Sequence, residues 1–299
     1  MSKNKILVWR VLDGIEGHEK QSKALAIALT RISNTKILDI RTIDLWRLLT
    51  KNLFTNKKLI KPDLIIGVGH KTHLIIFLSR LIFGGNSVLI MKPSLPINWF
   101  DLCFIPYHDV ISKIEKKNVV QIYGALNNLK NLGRHNPKKA LILIGGKSKY
   151  FNWNNNSIVS QIKKICTTYP NVKYYLTTSR RTPPSFVKDL MFMNIKNLKV
   201  ILWPTIDKNW IKKKLNQCQK VWVTKDSISM IYEGISSGGE VSIINLVEIK
   251  KNKISTEVDR LISKEMVVTE LGKKTKKPKI ILSESDRCAI IIKDKFFCL

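Results

Sequence analysis

Three short blocks of this chain set glycines, hydroxyls and charged groups at spacings that suit phosphate and sugar chemistry. The strongest is Thr224-Lys225-Asp226-Ser227-Ile228-Ser229-Met230, with Glu233 beyond it. It reads as a strand end, a cap at Asp226 or Ser227, and a helix whose first N–H groups and dipole favour an anion. Glu233 follows Asp226 by about two helical turns, on the same side, where a carboxylate can accept bonds from a ribose. The second block, Thr178-Ser179-Arg180-Arg181-Thr182, places two guanidiniums among hydroxyls, and arginine grips phosphate oxygens in bidentate fashion. A solvated pair of surface arginines is the plainer alternative. The third is Gly145-Gly146, a strand-end turn open enough to receive a phosphate.

The first half of the chain offers acid–base groups instead. Gly14-Ile15-Glu16-Gly17-His18 lies between a strand and a helix, and either His18 or Glu16 has the chemistry to take a proton from a hydroxyl. The same residues could simply start the helix. Gly69-His70 with His73 ends another strand, in a position to line a cleft with hydrogen-bonding groups or to cap the next helix. A metal would want a third ligand, for which His108 or Asp109 is the only nearby candidate by motif type, and no metal is expected. His108 and Asp109 follow a further strand, either as an imidazole oriented by a carboxylate or as an ordinary polar loop. Neither GxGxxG nor a P-loop occurs, so no dinucleotide or other cofactor is implied.

These blocks need a scaffold that brings strand ends together, and the rest of the sequence supplies one. Short β-branched runs near 5–9, 35–40, 63–69, 87–91, 101–105 and 118–121 alternate with helical patterns at 19–31 and 72–83. A polar, turn-forming stretch at 131–139 reads as a linker. After it the cycle restarts, with strands near 140–144, 173–177, 199–202, 220–223 and 240–244 and helices between them. The expectation is an α/β chain of two Rossmann-like domains facing a cleft, 1–133 and 139–283. Residues 284–299 form a last helix that can cross back to the first domain.

Composition narrows the setting. An apolar content of 44% in 299 residues supports real cores, and the formal charge of +30 attracts polyanions, unless lysine merely decorates the surface. The basic residues are spread, with one cluster at Lys273, Lys274, Lys276, Lys277 and Lys279, and no aromatic stripe or nucleic-acid module accompanies them, so nucleic acid is not expected as a partner. Five scattered cysteines without a CxxC pair fit a reducing, cytoplasmic location. The longest greasy stretch, 74–91, carries Arg80 and Gly84-Gly85-Asn86 in its middle and reads as helix, turn and strand rather than a membrane span.

Taken in order, Asp13-Gly14-Ile15-Glu16-Gly17-His18-Glu19-Lys20-Gln21, Gly67-Val68-Gly69-His70, Pro106-Tyr107-His108-Asp109, Gly145-Gly146, Thr178-Ser179-Arg180-Arg181-Thr182-Pro183 and Thr224-Lys225-Asp226-Ser227-Ile228-Ser229-Met230 resemble the mitochondrial fission ELM family of bacteria and plants. The likeness covers nearly the whole chain. Bacterial members are similar in layout to glycosyltransferases of the B fold, such as the one that adds N-acetylglucosamine to the peptidoglycan lipid precursor. The resemblance implies an acceptor side in the first domain (Gly14, Gly17, Gly69, His70, His73, with His18, Glu16, His108 and Asp109 as candidate catalytic groups). It implies a nucleotide-sugar side in the second (Gly145, Gly146, Thr178, Ser179, Arg180, Arg181, Thr182, Thr224, Asp226, Ser227, Ser229, Met230, Glu233). The expected activity is metal-independent transfer of a sugar to an envelope glycolipid or polysaccharide acceptor, by a protein docked on the inner, anionic face of the membrane. The alternative is a non-catalytic membrane-surface scaffold that keeps the fold. The oligomeric state is left open.

Overall fold

The computed structural model describes residues 5–54, 61–109, 116–207, 209–269 and 283–297, with the side chains of 51–54 and 108 excepted. The chain divides into two compact units, Met1–Asn128 with Ser283–Leu299, and Leu129–Leu282.

The first unit alternates β1 (Ile6–Leu12), α1 (Glu16–Ile32), β2 (Thr35–Arg41), α2 (Thr42–Phe54), β3 (Leu64–Val68), α3 (His70–Phe83), β4 (Asn86–Ile90), β5 (Leu102–Pro106) and β6 (Val119–Ile122). All six strands run parallel in the order β2-β1-β3-β4-β5-β6. A parallel sheet covered on both faces must bury consecutive residues, which is why Leu64-Ile65-Ile66-Gly67-Val68 is apolar throughout and fully inside. Val8, Ile66, Val88 and Phe104 meet Ala24, Leu25, Ala28 and Leu29 of α1 on one face. Trp9, Ile65, Leu89 and Cys103 meet Leu45 and Leu49 of α2 and Ile75 and Ile76 of α3 on the other.

The second unit runs β7 (Asn136–Leu143), β8 (Phe151–Asn152), α4 (Asn155–Thr168), β9 (Lys173–Thr177), α5 (Pro184–Met191), β10 (Leu198–Ile201), α6 (Trp210–Gln217), β11 (Cys218–Thr224), α7 (Ile228–Ser237), β12 (Glu240–Ile244), β13 (Val247–Glu248), α8 (Lys253–Ser263) and β14 (Val267–Val268). Its parallel sheet has the order β10-β9-β7-β11-β12-β14, and β8 pairs antiparallel with β13 to one side. The chain then returns to the first unit as α9 (Glu284–Phe296), whose Cys288, Ala289 and Ile292 pack into the α1 face of that core.

The stretch 131–139 is a linker only in its first part. Asn136 to Lys139 open strand β7, where Asn136 pairs with Cys218 of β11. Their polar side chains fit a strand end that projects into water, so a polar composition hid an extended backbone.

In both sheets the chain reverses its direction of growth once, between β1 and β3 in the first and between β7 and β11 in the second. Loops leaving the carboxyl ends of those strand pairs diverge and leave a crevice, the ordinary ligand position of open α/β sheets. Four of the sequence blocks fall on these loops; the block 178–182 follows β9 beside β7, and His108 and Asp109 follow β5.

Candidate functional site

At the second switch point three strand-end loops are fastened to one another. The Gly145 N–H donates to Thr224 Oγ1 at 2.8 Å and the Gly146 N–H to Asp226 Oδ2 at 3.0 Å. Ser179 Oγ and Thr182 Oγ1 donate to the Gly145 carbonyl at 2.7 and 2.5 Å. Arg181 closes the arrangement, with Nη2 2.7 Å from Asp226 Oδ2 and Nη1 3.3 Å from the carbonyls of Gly146 and Lys147. Thr178, also buried, accepts from the Trp203 N–H at 3.0 Å. The loops approach so closely that a Cβ on Gly146 would lie 2.0 Å from the Arg181 carbonyl oxygen, and one on Gly145 would strike the Asp226 carboxylate.

This reassigns several residues. Arg181, Ser179 and Thr182 hold the loops together, and of the two arginines only Arg180 is left on the surface without a part in that bracing. Neither Asp226 nor Ser227 caps α7. Ser227 occupies the cap position, but its side chain makes no capping hydrogen bond. Asp226 cannot serve because its carboxylate is turned back to Gly146 and Arg181, with Oδ1 buried and unpartnered. The first turn of α7 is therefore not capped by either residue, with Ser229 exposed, Met230 half-buried and Glu233 half-buried one turn further on.

At the first switch point the loop after β1 carries Asp13 and the first turn of α1 carries His18. Their side chains meet, His18 Nδ1 lying 2.7 Å from Asp13 Oδ2, with Asp13 almost fully enclosed and His18 partly open. Asp13 Oδ1 accepts from the Ile15 N–H at 3.0 Å, which fixes the carboxylate. The His18 ring lies against Gly69, where a Cβ would come within 2.3 Å of it; Gly69 also has φ +82°, so this position admits glycine on both counts. With Nδ1–H given to Asp13, Nε2 is the nitrogen presented for proton transfer. Glu16 is placed differently: it is exposed and paired with Lys20 at 2.8 Å.

His70 opens α3 and is exposed, whereas His73, one turn later, is 1% exposed. The Ser94 N–H lies 3.1 Å from His73 Nδ1, the ring packs edge-on to Phe100, and Nε2 has no partner. Burial, with lesser contributions from His70 and His18, pushes its pKa down to about 4, so it is a neutral core histidine rather than a surface ligand. Tyr107–Asp109 form a short 3-10 turn directly after β5 with Asp109 half-buried; the side chain of His108 lies outside the described residues, as does the lysine cluster at 273–279. Among the described residues no three His, Cys, Asp or Glu side chains converge as a metal site would require, and no helix is long and apolar enough to cross a membrane.

The model of the mitochondrial fission ELM1 family matches residues 16–296. The chain belongs to this family. An uncharacterized protein of Rickettsia prowazekii (strain Madrid E) is 26% identical, covering 96% of this chain and 97% of that one. Among solved structures, a Listeria monocytogenes protein described as a UDP-N-acetylglucosamine 2-epimerase superposes with TM-score 0.62 at 10% identity, covering 98% of this chain and 97% of its own. The UDP-GlcNAc 2-epimerase of Methanocaldococcus jannaschii, solved with UDP-GlcNAc and UDP, gives 0.53 at 12% over 97% and 100%. Phytolacca americana UGT2, solved with UDP-2fluoro-glucose and pterostilbene, gives 0.53 at 10% over 99% and 91%. At these identities the likeness is one of fold, and the fold is the two-unit α/β architecture of nucleotide-sugar enzymes of the glycosyltransferase-B kind.

Asp13 is the functional candidate that residue patterns alone did not bring forward. Its signal was its place, the first residue after a strand, five positions before a histidine on the next helix.

Proposed function

We propose that this member of the mitochondrial fission ELM1 family is a metal-independent glycosyltransferase, acting at the cytoplasmic face of a membrane on a lipid-linked or polysaccharide acceptor. The observation that carries the reading is the braced loop set at the second switch point, beside a helix N-terminus that its N-cap Ser227 leaves uncapped. Backbone N–H groups held rigid before the ligand arrives are what a departing nucleoside diphosphate needs, because they stabilise its developing charge without reorganising. Ser229, Arg180 and the α7 amides are the proposed diphosphate contacts, and Glu233 the ribose contact. In the first unit His18, oriented by Asp13, takes the proton of the acceptor hydroxyl on Nε2. The freed oxygen bonds to the anomeric carbon while that carbon's bond to the diphosphate breaks, and the diphosphate leaves with the electron pair.

A second reading, a scaffold that kept the fold and lost turnover, is favoured by one observation: Arg181, Ser179 and Thr182 are spent on the protein's own loops. A thermal-shift series separates the two. UDP, GDP, CMP, CDP and their sugars are titrated into the full-length protein, with magnesium and with chelator. A rise of several degrees with one nucleotide, unchanged by chelator, supports the transferase and names its donor class. No response to any of them, with binding to anionic vesicles retained, supports the scaffold.

A further inference from the structure

Helix α3 packs Ile75, Ile76 and Phe83 into the core, yet it also buries polar residues and leaves large apolar ones outside. Of its polar residues, Thr72, His73 and Ser79 are fully buried, and Arg80 is tied to Asp101 by two bonds of 2.6 and 2.8 Å. Its exposed apolar residues are Leu74 and Leu81, 47% and 60% exposed, with the half-buried Phe77 between them at helical spacing. Trp99 continues the surface by stacking on Phe77 at 4.6 Å. On the neighbouring helix α2, which packs beside α3 on the same face of the sheet, the exposed residues include Ile43 and Trp46. Five large apolar side chains, Ile43, Trp46, Leu74, Leu81 and Trp99, are thus exposed on adjacent elements, with Phe77 half-buried beneath Trp99, whereas isolated exposed leucines need no explanation.

The charges around these residues point to the occupant. Arg41, the last residue of β2, and Arg47 of α2 flank Ile43 and Trp46, with Asp44, the acidic residue between them, engaged by both. Lys71 stands exposed one turn before Leu74, and Lys116 reaches Asn98 beside Trp99 at 3.3 Å. Aliphatic side chains with tryptophans, rimmed by arginine and lysine, are the composition that seats at the headgroup level of an anionic bilayer. We infer that the outer face of α2 and α3, with Trp99, docks this protein on an anionic lipid surface by inserting Leu74, Leu81 and Trp99 among the headgroups. The inference rests on the proposed reading for its acceptor, and gives that acceptor a route: the stripe begins one turn after His70, on the helix whose start touches the His18 ring.

The test replaces apolar area by positive charge, so that insertion and mere attraction pull in opposite directions. Sucrose-loaded vesicles of phosphatidylcholine with phosphatidylglycerol are sedimented with the wild-type chain and with the Leu74→Lys/Leu81→Lys variant. Wild type is expected to pellet with these vesicles and to have its tryptophan emission quenched by brominated lipid. The variant, despite two added positive charges, is expected to bind roughly tenfold or more weakly, from the apolar area withdrawn. Both sites are exposed, so the variant's melting temperature serves as the folding control. Equal or tighter binding by the variant, or a wild type that ignores the vesicles and instead self-associates through this face, overturns the inference. Nucleotide-induced thermal shifts, read on the same two proteins, report separately on the transferase reading: vesicle docking without any nucleotide response leaves the docking face standing and removes the transferase.

Discussion

Replacing Arg181 by alanine separates a strut from a ligand contact. Asp226 is fully enclosed, and its Oδ2 has two donors, Arg181 Nη2 at 2.7 Å and the Gly146 N–H at 3.0 Å, while Oδ1 has none. Removing the guanidinium leaves a buried carboxylate on a single amide. Breaking a buried ion pair from one side costs about 3–5 kcal/mol. Here the Arg181 side chain is 45% exposed, so water can refill part of its place and about 2–3 kcal/mol is the better expectation. For a unit of this size that corresponds to a fall in melting temperature of about 4–12 °C. Asp226→Asn alone removes the buried charge and strands only an arginine that reaches solvent, so about 1 kcal/mol is expected. The double variant is then more stable than Arg181→Ala alone, with a coupling of about 1–2 kcal/mol. Calorimetry on the four proteins measures the cycle. If Arg181→Ala melts within a degree of wild type while losing nucleotide response, the bracing argument is wrong and Arg181 is a direct ligand contact.

Other outcomes follow from the same geometry. With a donor identified, His18→Gln should lower turnover by roughly 10²–10⁴-fold with little change in melting temperature, and Asp13→Asn should lower it less; equal activity in His18→Gln sinks the assignment of the base. His73 is neutral in the folded protein down to about pH 4 but titrates near 6.5 when unfolded, so the unfolded chain takes up the proton first. Stability from this residue is therefore level above pH 6.5 and falls between 6.5 and about 4, by about 3 kcal/mol in all, and His73→Gln should show a shallower loss in urea titrations across that window. Gly17 sits in the first turn of α1, where a Cβ would meet no protein atom within 4 Å, so Gly17→Ala should raise stability by about 0.5–1 kcal/mol. A fall in acceptor turnover in that more stable protein would mark close approach of substrate to this backbone.

Much of the scaffold was readable because parallel strands buried on both sides are written as unbroken apolar runs, as in 64–68 and 140–144. Helix α2 was harder. Leu45, Leu48 and Leu49 have helical spacing, but Arg41-Thr42-Ile43 continues the β-branched run of β2 and blurs where the strand ends. Helix α8 hid for another reason: the face it buries includes Ser255 and Glu257, so its inward stripe does not look apolar. Glu257 is accommodated by the Tyr232 hydroxyl and by Arg260, partners from α7 and from its own next turn that no local pattern announces. The candidate sites were legible as blocks and not as contacts. Strand-end position was readable, but which arginine faces inward depends on a carboxylate far along the chain.

The glycines show where that limit lies. By sequence, Gly14, Gly17, Gly69, Gly145 and Gly146 carry one message, room for a ligand at a strand end. The structure divides them. Gly69 is demanded by the His18 ring, Gly145 by Asp226 and Gly146 by the Arg181 backbone, so in these places the missing side chain makes way for the protein itself. Gly14 is demanded by its φ of +79° alone. Gly17 is helical and faces open space, and a helix gains by replacing such a glycine with alanine. Neither the packing that accounts for Gly69, Gly145 and Gly146 nor the backbone conformation that accounts for Gly14 gives a reason for this one. Beside a histidine already oriented by a buried carboxylate, the empty volume over Gly17 is where the proposed acceptor has space to come nearest the backbone, and it is the position at which stability and turnover should respond in opposite directions.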